Sequence, residues 1–321
     1  MISILRAAIS VSIMAGVLCA CGQPPSAGIL SSNRSPSSRS SFGTIRLAST
    51  APSSELLYVS DNVGAQVYVF SYPMLMPVAS LTGFTSPVGE CVDASGDVWI
   101  ANDFPSELVE YAHGGRSPIK TISEYGQTPS GCSVDPTTGN LGVANVSGTV
   151  AVYQNASRKA TLYSDPDISM FYYATYDTAG NLFADGPANG LIAELPKGGS
   201  ALITVTLSKN ILPSSMQWDG KYLAIVDASG SEARPTPVDR VQVSGQTGTI
   251  VSTTLLQSRH GHKTDSAAQF WIQGDKIVGP EPSQRGATRL LALWRYPKGG
   301  DPIKELHPSG DSELWGSTVS P

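Results

Sequence analysis

One spacing constrains this chain more than any other feature. A short apolar run ends on an aspartate and a turn at Cys91-Val92-Asp93, Ser133-Val134-Asp135, Thr175-Tyr176-Asp177 and Gln217-Trp218-Asp219, and successive aspartates are 42 residues apart. A glycine-containing turn and a second apolar run follow each aspartate, at 98–102, 141–145, 182–185 and 223–227. Two further runs complete the unit, as at 107–112 and 118–122. Four short strands in a repeat of this length describe one blade of a β-propeller. The 32 glycines and 23 prolines supply the turns such a chain needs.

The ends of the repeat region predict how the ring closes. The first unit begins in its second strand, at 56–61, so its first strand is missing. The last run, Leu314-Trp315-Gly316-Ser317-Thr318-Val319, reads as a first strand without followers. Joining the two gives a blade of one C-terminal and three N-terminal strands and removes an exposed sheet edge. First strands then start near residues 88, 130, 171, 214, 268 and 314, which predicts an all-β, six-bladed propeller over 55–321.

The pattern Pro87-x-Gly89-x-x-Val92-Asp93, followed by Val98-Trp99-Ile100-Ala101-Asn102-Asp103, resembles the NHL-type repeats of six-bladed bacterial propellers. The resemblance implies a fold that hosts lactonases, lyases and pure binding modules alike. Lactonase-like members place a glutamate with asparagines and aspartates around a divalent metal near the central channel. Here the second strands end on Asp61, Asn102, Asp103, Asn145, Asp185 and Asp227, which repeat on one face, and Glu90 lies in a first strand. Such an oxygen-rich set suits calcium or magnesium. The other reading of each Asx is a cap on its own loop.

That face also collects the long connections. The spacing from Asp219 to Gln273 is 54 residues, and the excess is expected in the loops 228–238 and 257–266, with a third long loop at 280–289. His260 and His262 fall in the second of these loops, in a pattern able to chelate a metal or carry protons. Tyr172, Tyr173 and Trp315, near the starts of first strands, are expected to floor a central pocket or to pack as core. Loops on a rigid scaffold concentrate binding residues, so contacts are expected on this face. No zincin motif, phosphate-binding loop, Cys-x-x-Cys or nucleophile elbow occurs, and no residue is assigned a catalytic role.

Aligned on their aspartates, Cys91 lies two residues before Asp93 and Cys132 three before Asp135. Strand parity turns them to opposite faces of neighbouring blades, which predicts either an inter-blade disulfide or two small buried hydrophobes.

The N-terminus carries an address. Arg6 precedes an apolar run, 7–18, too short to span a bilayer, which ends in Leu18-Cys19-Ala20-Cys21. This resembles a bacterial lipobox, with 1–20 as signal peptide and Cys21 as the acylated thiol. The Ser-rich segment 21–54 lacks apolar periodicity and reads as a disordered tether. The expected location is therefore the bacterial cell envelope, periplasmic or surface-exposed, with the membrane as a partner through acyl chains. A net charge of −5 argues against nucleic acid, and a monomer is expected. Two functions stay open: a binding or scaffold module without catalysis, for a protein or a small carbohydrate-like ligand, or a metal-dependent lactonase-like or lyase-like enzyme at the central channel. The first accounts for more of the features.

Overall fold

A computed structural model describes residues 54–186, 190–229, 235–259, 268–281, 290–307 and 312–321. In chain order the strands are β1 (Leu56–Asp61), β2 (Gln66–Ser71), β3 (Met76–Thr82), β4 (Pro87–Val92), β5 (Val98–Asn102), β6 (Glu107–Tyr111), β7 (Pro118–Ser123), β8 (Pro129–Val134), β9 (Leu141–Asn145), β10 (Thr149–Tyr153), β11 (Ala160–Tyr163), β12 (Ala174–Tyr176), β13 (Leu182–Asp185), β14 (Leu191–Leu195), β15 (Ile203–Leu207), β16 (Pro213–Trp218), β17 (Leu223–Asp227), β18 (Thr236–Ser244), β19 (Thr247–Leu256), β20 (Trp271–Gln273), β21 (Lys276–Glu281), β22 (Leu290–Arg295), β23 (Lys304–Leu306) and β24 (Leu314–Ser320). Helix is almost absent among the described residues, with a single 3-10 turn at 154–156.

These strands form sheets with the orders β24-β1-β2-β3, β4 to β7, β8 to β11 and β20 to β23, together with an eight-stranded sheet, β12-β13-β14-β15-β19-β18-β17-β16. The C-terminal strand lies antiparallel to β1, from Leu56 opposite Ser320 to Asp61 opposite Leu314. The turns after first strands are built by their aspartates. Asp93 Oδ1 accepts the N–H groups of Ser95 and Asp97 at 2.8 and 2.9 Å, and Asp177 Oδ1 accepts those of Ala179 and Asn181, both at 2.9 Å. Asx chemistry of this kind needs no ion.

Side-chain alternation explains why second strands read as unbroken apolar runs. Leu56 and Tyr58 pack with Val98 and Ile100 of the next sheet, whereas Leu57 and Val59 pack with Val278 and Leu291 on the other side. Trp99 and Ala101 then meet Leu141 and Val143 of the third sheet. Each second strand is thus covered on both faces. The described core falls into six clusters, each joining two successive groups of four strands.

The eight-stranded sheet corrects the expectation of six separate four-stranded sheets. Part of the extra length beyond Asp219 goes into strands rather than loops, since β18 and β19 run for 9 and 10 residues. The long hairpin brings β19 against β15 in parallel, with Thr206 opposite Thr247 and Leu207 opposite Gly248. Ser208 N donates to Gly248 O at 2.7 Å and Thr206 N to Gln246 O at 3.0 Å. A Cβ on Gly248 would meet Leu207 Cδ2 at 2.6 Å and Val241 Cγ1 at 3.0 Å, so the strands are closely packed at this position. The pairing also covers two sheet edges.

Candidate functional site

First strands converge on the axis without forming ladders with one another, so their backbone N–H groups need other acceptors. A repeating position provides them. Ser133 Oγ accepts from Tyr176 N at 3.0 Å, Thr175 Oγ1 from Trp218 N at 3.0 Å, and Gln217 Oε1 from Ile272 N at 2.5 Å. These residues stand two before Asp135, Asp177 and Asp219. Cys91 holds the same place before Asp93, and there the tie is covalent, a Cys91–Cys132 disulfide with Cα atoms 5.5 Å apart. The 42-residue register contained this signal, although only the cysteines drew attention to it.

One level along the axis, Gln269 closes the centre. Its Oε1 accepts from Glu90 N at 2.8 Å and its Nε2 donates to Glu90 O at 2.6 Å, so a side-chain amide pairs like a strand with a residue 179 positions away. Gln269 N in turn donates to Trp315 O at 2.8 Å. The carboxyl of Glu90 is fully buried and lies against Gly316, where a Cβ would collide with it. Burial pushes this carboxyl well above the usual carboxylate range, and Ser60 offsets only part of the effect. Glu90 is therefore placed between two sheets rather than at an open ligand face.

The polar ends of the second strands serve their own loops. Asp61 Oδ1 accepts from Gly64 N and Glu313 N, both at 2.9 Å. Asn102 Oδ1 accepts from Thr85 N and Ser86 N at 3.3 and 2.9 Å, and Asn102 Nδ2 donates to Glu107. Asp185 Oδ1 accepts from Tyr173 N at 2.6 Å, and burial raises its carboxyl well above the ordinary range. Asp227 accepts from Leu212 N and Ser229 N and pairs with Lys209 at 2.9 Å, and the donors acting on its oxygens outweigh burial to hold its carboxyl low. Asn145 is buried and donates to Thr149, while Asp103 sits half-buried in the turn after β5. Four of these groups thus pin the segment that leads into a first strand. Tyr173 is core, packed with Phe183 and Met216; Tyr172 is partly buried beside it, and Trp315 packs on the cluster holding Cys91 and Cys132. His260 and His262, most of the loops around them and Cys21 lie outside the described residues.

Two features were not legible beforehand. Asp93, Asp97 and Glu110 bring one oxygen each within 4.8 Å of one another, but the first two already accept turn and His113 N–H groups. The other is a cavity of about 170 Å³ on the axis, lined by the C-terminal ends of β4, β8, β12 and β16 and by Gln269, Phe270 and Trp271 at the start of β20. It lies at the opposite ends of the first strands from the long connections.

Glu124, in the segment between β7 and β8, is buried and accepts from Tyr153 Oη at 2.7 Å. Burial raises its carboxyl to about 7, with the tyrosine bond pulling the other way. The folded state therefore binds this proton more tightly than the unfolded chain does. The associated stability is complete below about pH 4.5 and is lost as pH rises through 7. The loss is on the order of 3 kcal/mol. Glu124→Gln keeps an acceptor for Tyr153, so the variant's melting temperature should gain on the unsubstituted protein between pH 5 and pH 8. Parallel pH profiles would exclude this assignment.

No protein-family model and no curated protein sequence matches the chain. Solved structures do. A chain of the crystal structure of a nidogen/laminin complex is similar with a TM-score of 0.64 at 11% identity, over 83% of this chain and 98% of that one. A protein of unknown function from Bacteroides caccae gives 0.63 at 13% identity, over 84% and 99%. Hydrazine synthase of Kuenenia stuttgartiensis gives 0.56 at 13%, over 75% and 73%. At these identities the likeness concerns the fold, and with the all-β sheets arranged around an axis it defines the chain as a β-propeller.

Proposed function

We propose that this β-propeller is a lipid-anchored, extracytoplasmic binding or scaffold module that carries out no chemistry. The observation that carries the reading is the use of the second-strand polar groups: Asp61, Asn102, Asp185 and Asp227 each accept from a backbone N–H that leads into a first strand of their own blade. The eight-stranded sheet counts as two blades fused at their outer strands, which makes six with the four separate sheets, and the six inter-sheet core clusters support that count. A buried disulfide suits export to an oxidising compartment. Together with the Leu18–Cys21 signal it supports anchoring through acylated Cys21 and partner contacts on the face of the long connections. Two linked measurements test this. Metabolic labelling with an alkyne fatty acid should mark the protein and leave Cys21→Ser unlabelled and released from membranes. In-cell crosslinking should capture a partner that is lost when 257–266 is replaced by a short turn; labelling that survives Cys21→Ser, or capture indifferent to the loop, would overturn the corresponding half.

A further inference from the structure

The axial cavity is a blind cup rather than a channel. Gln269, only 6% exposed, forms its floor with both amide groups locked onto Glu90. The walls are equally fixed. The Cys91–Cys132 disulfide joins β4 to β8, and Ser133, Thr175 and Gln217 tie each later wall strand to its neighbour. A site built this way loses little conformational freedom on binding.

Its chemistry has two halves. Tyr176, Trp218, Phe270 and Trp271 supply aromatic surface, and Ser133, Thr175 and Gln217 put hydroxyl and amide groups on the same wall. Among the described lining residues none is charged, so nothing there selects an anion or a cation. The size matches a single ring, since a cavity of about 150 Å³ is known to hold benzene. Ser133 Oγ accepts from Tyr176 N and keeps its own O–H to donate, so a purely apolar ring would offer that group no acceptor. An open-chain polyol has no flat face to lay on an indole.

We infer that this cup binds one neutral pyranose ring, its C–H face stacked on the tryptophans and its hydroxyl rim meeting the polar wall. The site lies on the face opposite the long connections and stands independently of the anchored-module reading: labelling of Cys21 can succeed or fail without moving it.

The test is a titration of the purified full chain with the methyl glycosides of glucose, galactose, mannose and N-acetylglucosamine, followed by calorimetry and tryptophan emission. Glucuronate, glucosamine and benzyl alcohol serve as the anionic, cationic and aromatic comparisons. At least one neutral glycoside should saturate and protect tryptophan emission from acrylamide quenching, with both charged sugars weaker by about tenfold or more. Trp271→Ala should weaken binding about tenfold, and Trp218→Ala, which removes the second aromatic surface, should weaken it to a similar extent, with melting curves reporting on folding. Acrylamide protection in the unsubstituted protein reads the site even where a variant is destabilised. The assignment is overturned if no neutral glycoside saturates, if benzyl alcohol binds more tightly than every glycoside, or if both folded variants bind unchanged.

Discussion

A chain ending at Glu313 is expected to lose its cooperative melt at the temperature where the full-length protein unfolds. Strand β24 supplies the whole first-strand layer of its sheet, pairing with β1 along its length. Leu314 and Val319 are buried in the cluster that also holds Leu57 and Leu291. Polar ties go with them: Ser317 Oγ donates to Gln269 O at 2.9 Å, Ser320 Oγ to Gly96 O at 2.6 Å, and Trp315 O accepts from Gln269 N. Truncation also uncovers Glu90, whose carboxyl is packed on Gly316. Buried aliphatic side chains contribute about 1.5–3 kcal/mol each, so together with an opened edge on β1 the loss is on the order of 5–10 kcal/mol, comparable to the stability of a whole domain. Circular dichroism and calorimetry decide it: melting that coincides with full length would mean the ring does not depend on this closure. A peptide of residues 312–321 added in trans should restore part of the transition.

The second large effect belongs to Cys91–Cys132. The cysteines are 41 residues apart in sequence, and a cross-link closing a loop of that length stabilises by about 3–4 kcal/mol through the unfolded chain. Replacing both by alanine, or reducing the protein, should lower the melting temperature by on the order of 10 °C. The native position gives no substitute, because the place that holds a hydrogen-bonding Ser133, Thr175 or Gln217 in the following blades is occupied here by sulfur. Thiol counting on denatured, unreduced protein should find both cysteines blocked. Equal melting temperatures with and without reductant would remove the bridge from the stability of the fold.

Much of the architecture was legible from neighbouring residues. Alternation in Leu56-Leu57-Tyr58-Val59, apolar at every position, already required cover on both faces. The aspartate turns needed only their own Asx and glycine chemistry. The ends of strands were less legible: the first strand expected from about residue 268 is confined to Trp271–Gln273, because Gln269 and Phe270 bond across the axis and to Ser215 instead of to a ladder. The polar second-strand ends were visible as a set, but whether they met a ligand or a loop was not. That depended on where the incoming segments lay, such as Glu313 beside Asp61, 252 positions apart.

By itself the sequence determined the period, the strand faces, the turn chemistry and the opposed parity of Cys91 and Cys132, because each is set by residues adjacent along the chain and by the two-residue repeat of a strand. Only the tertiary structure decided that Gln269 pairs with Glu90 across the axis, that β19 zips onto β15, that Glu90 is buried, and that the cup lies toward the face of the short turns. These outcomes rest on the convergence of strands far apart in the chain. The amide of Gln269, paired with Glu90 across 179 positions, is one such outcome, and no local pattern encodes it.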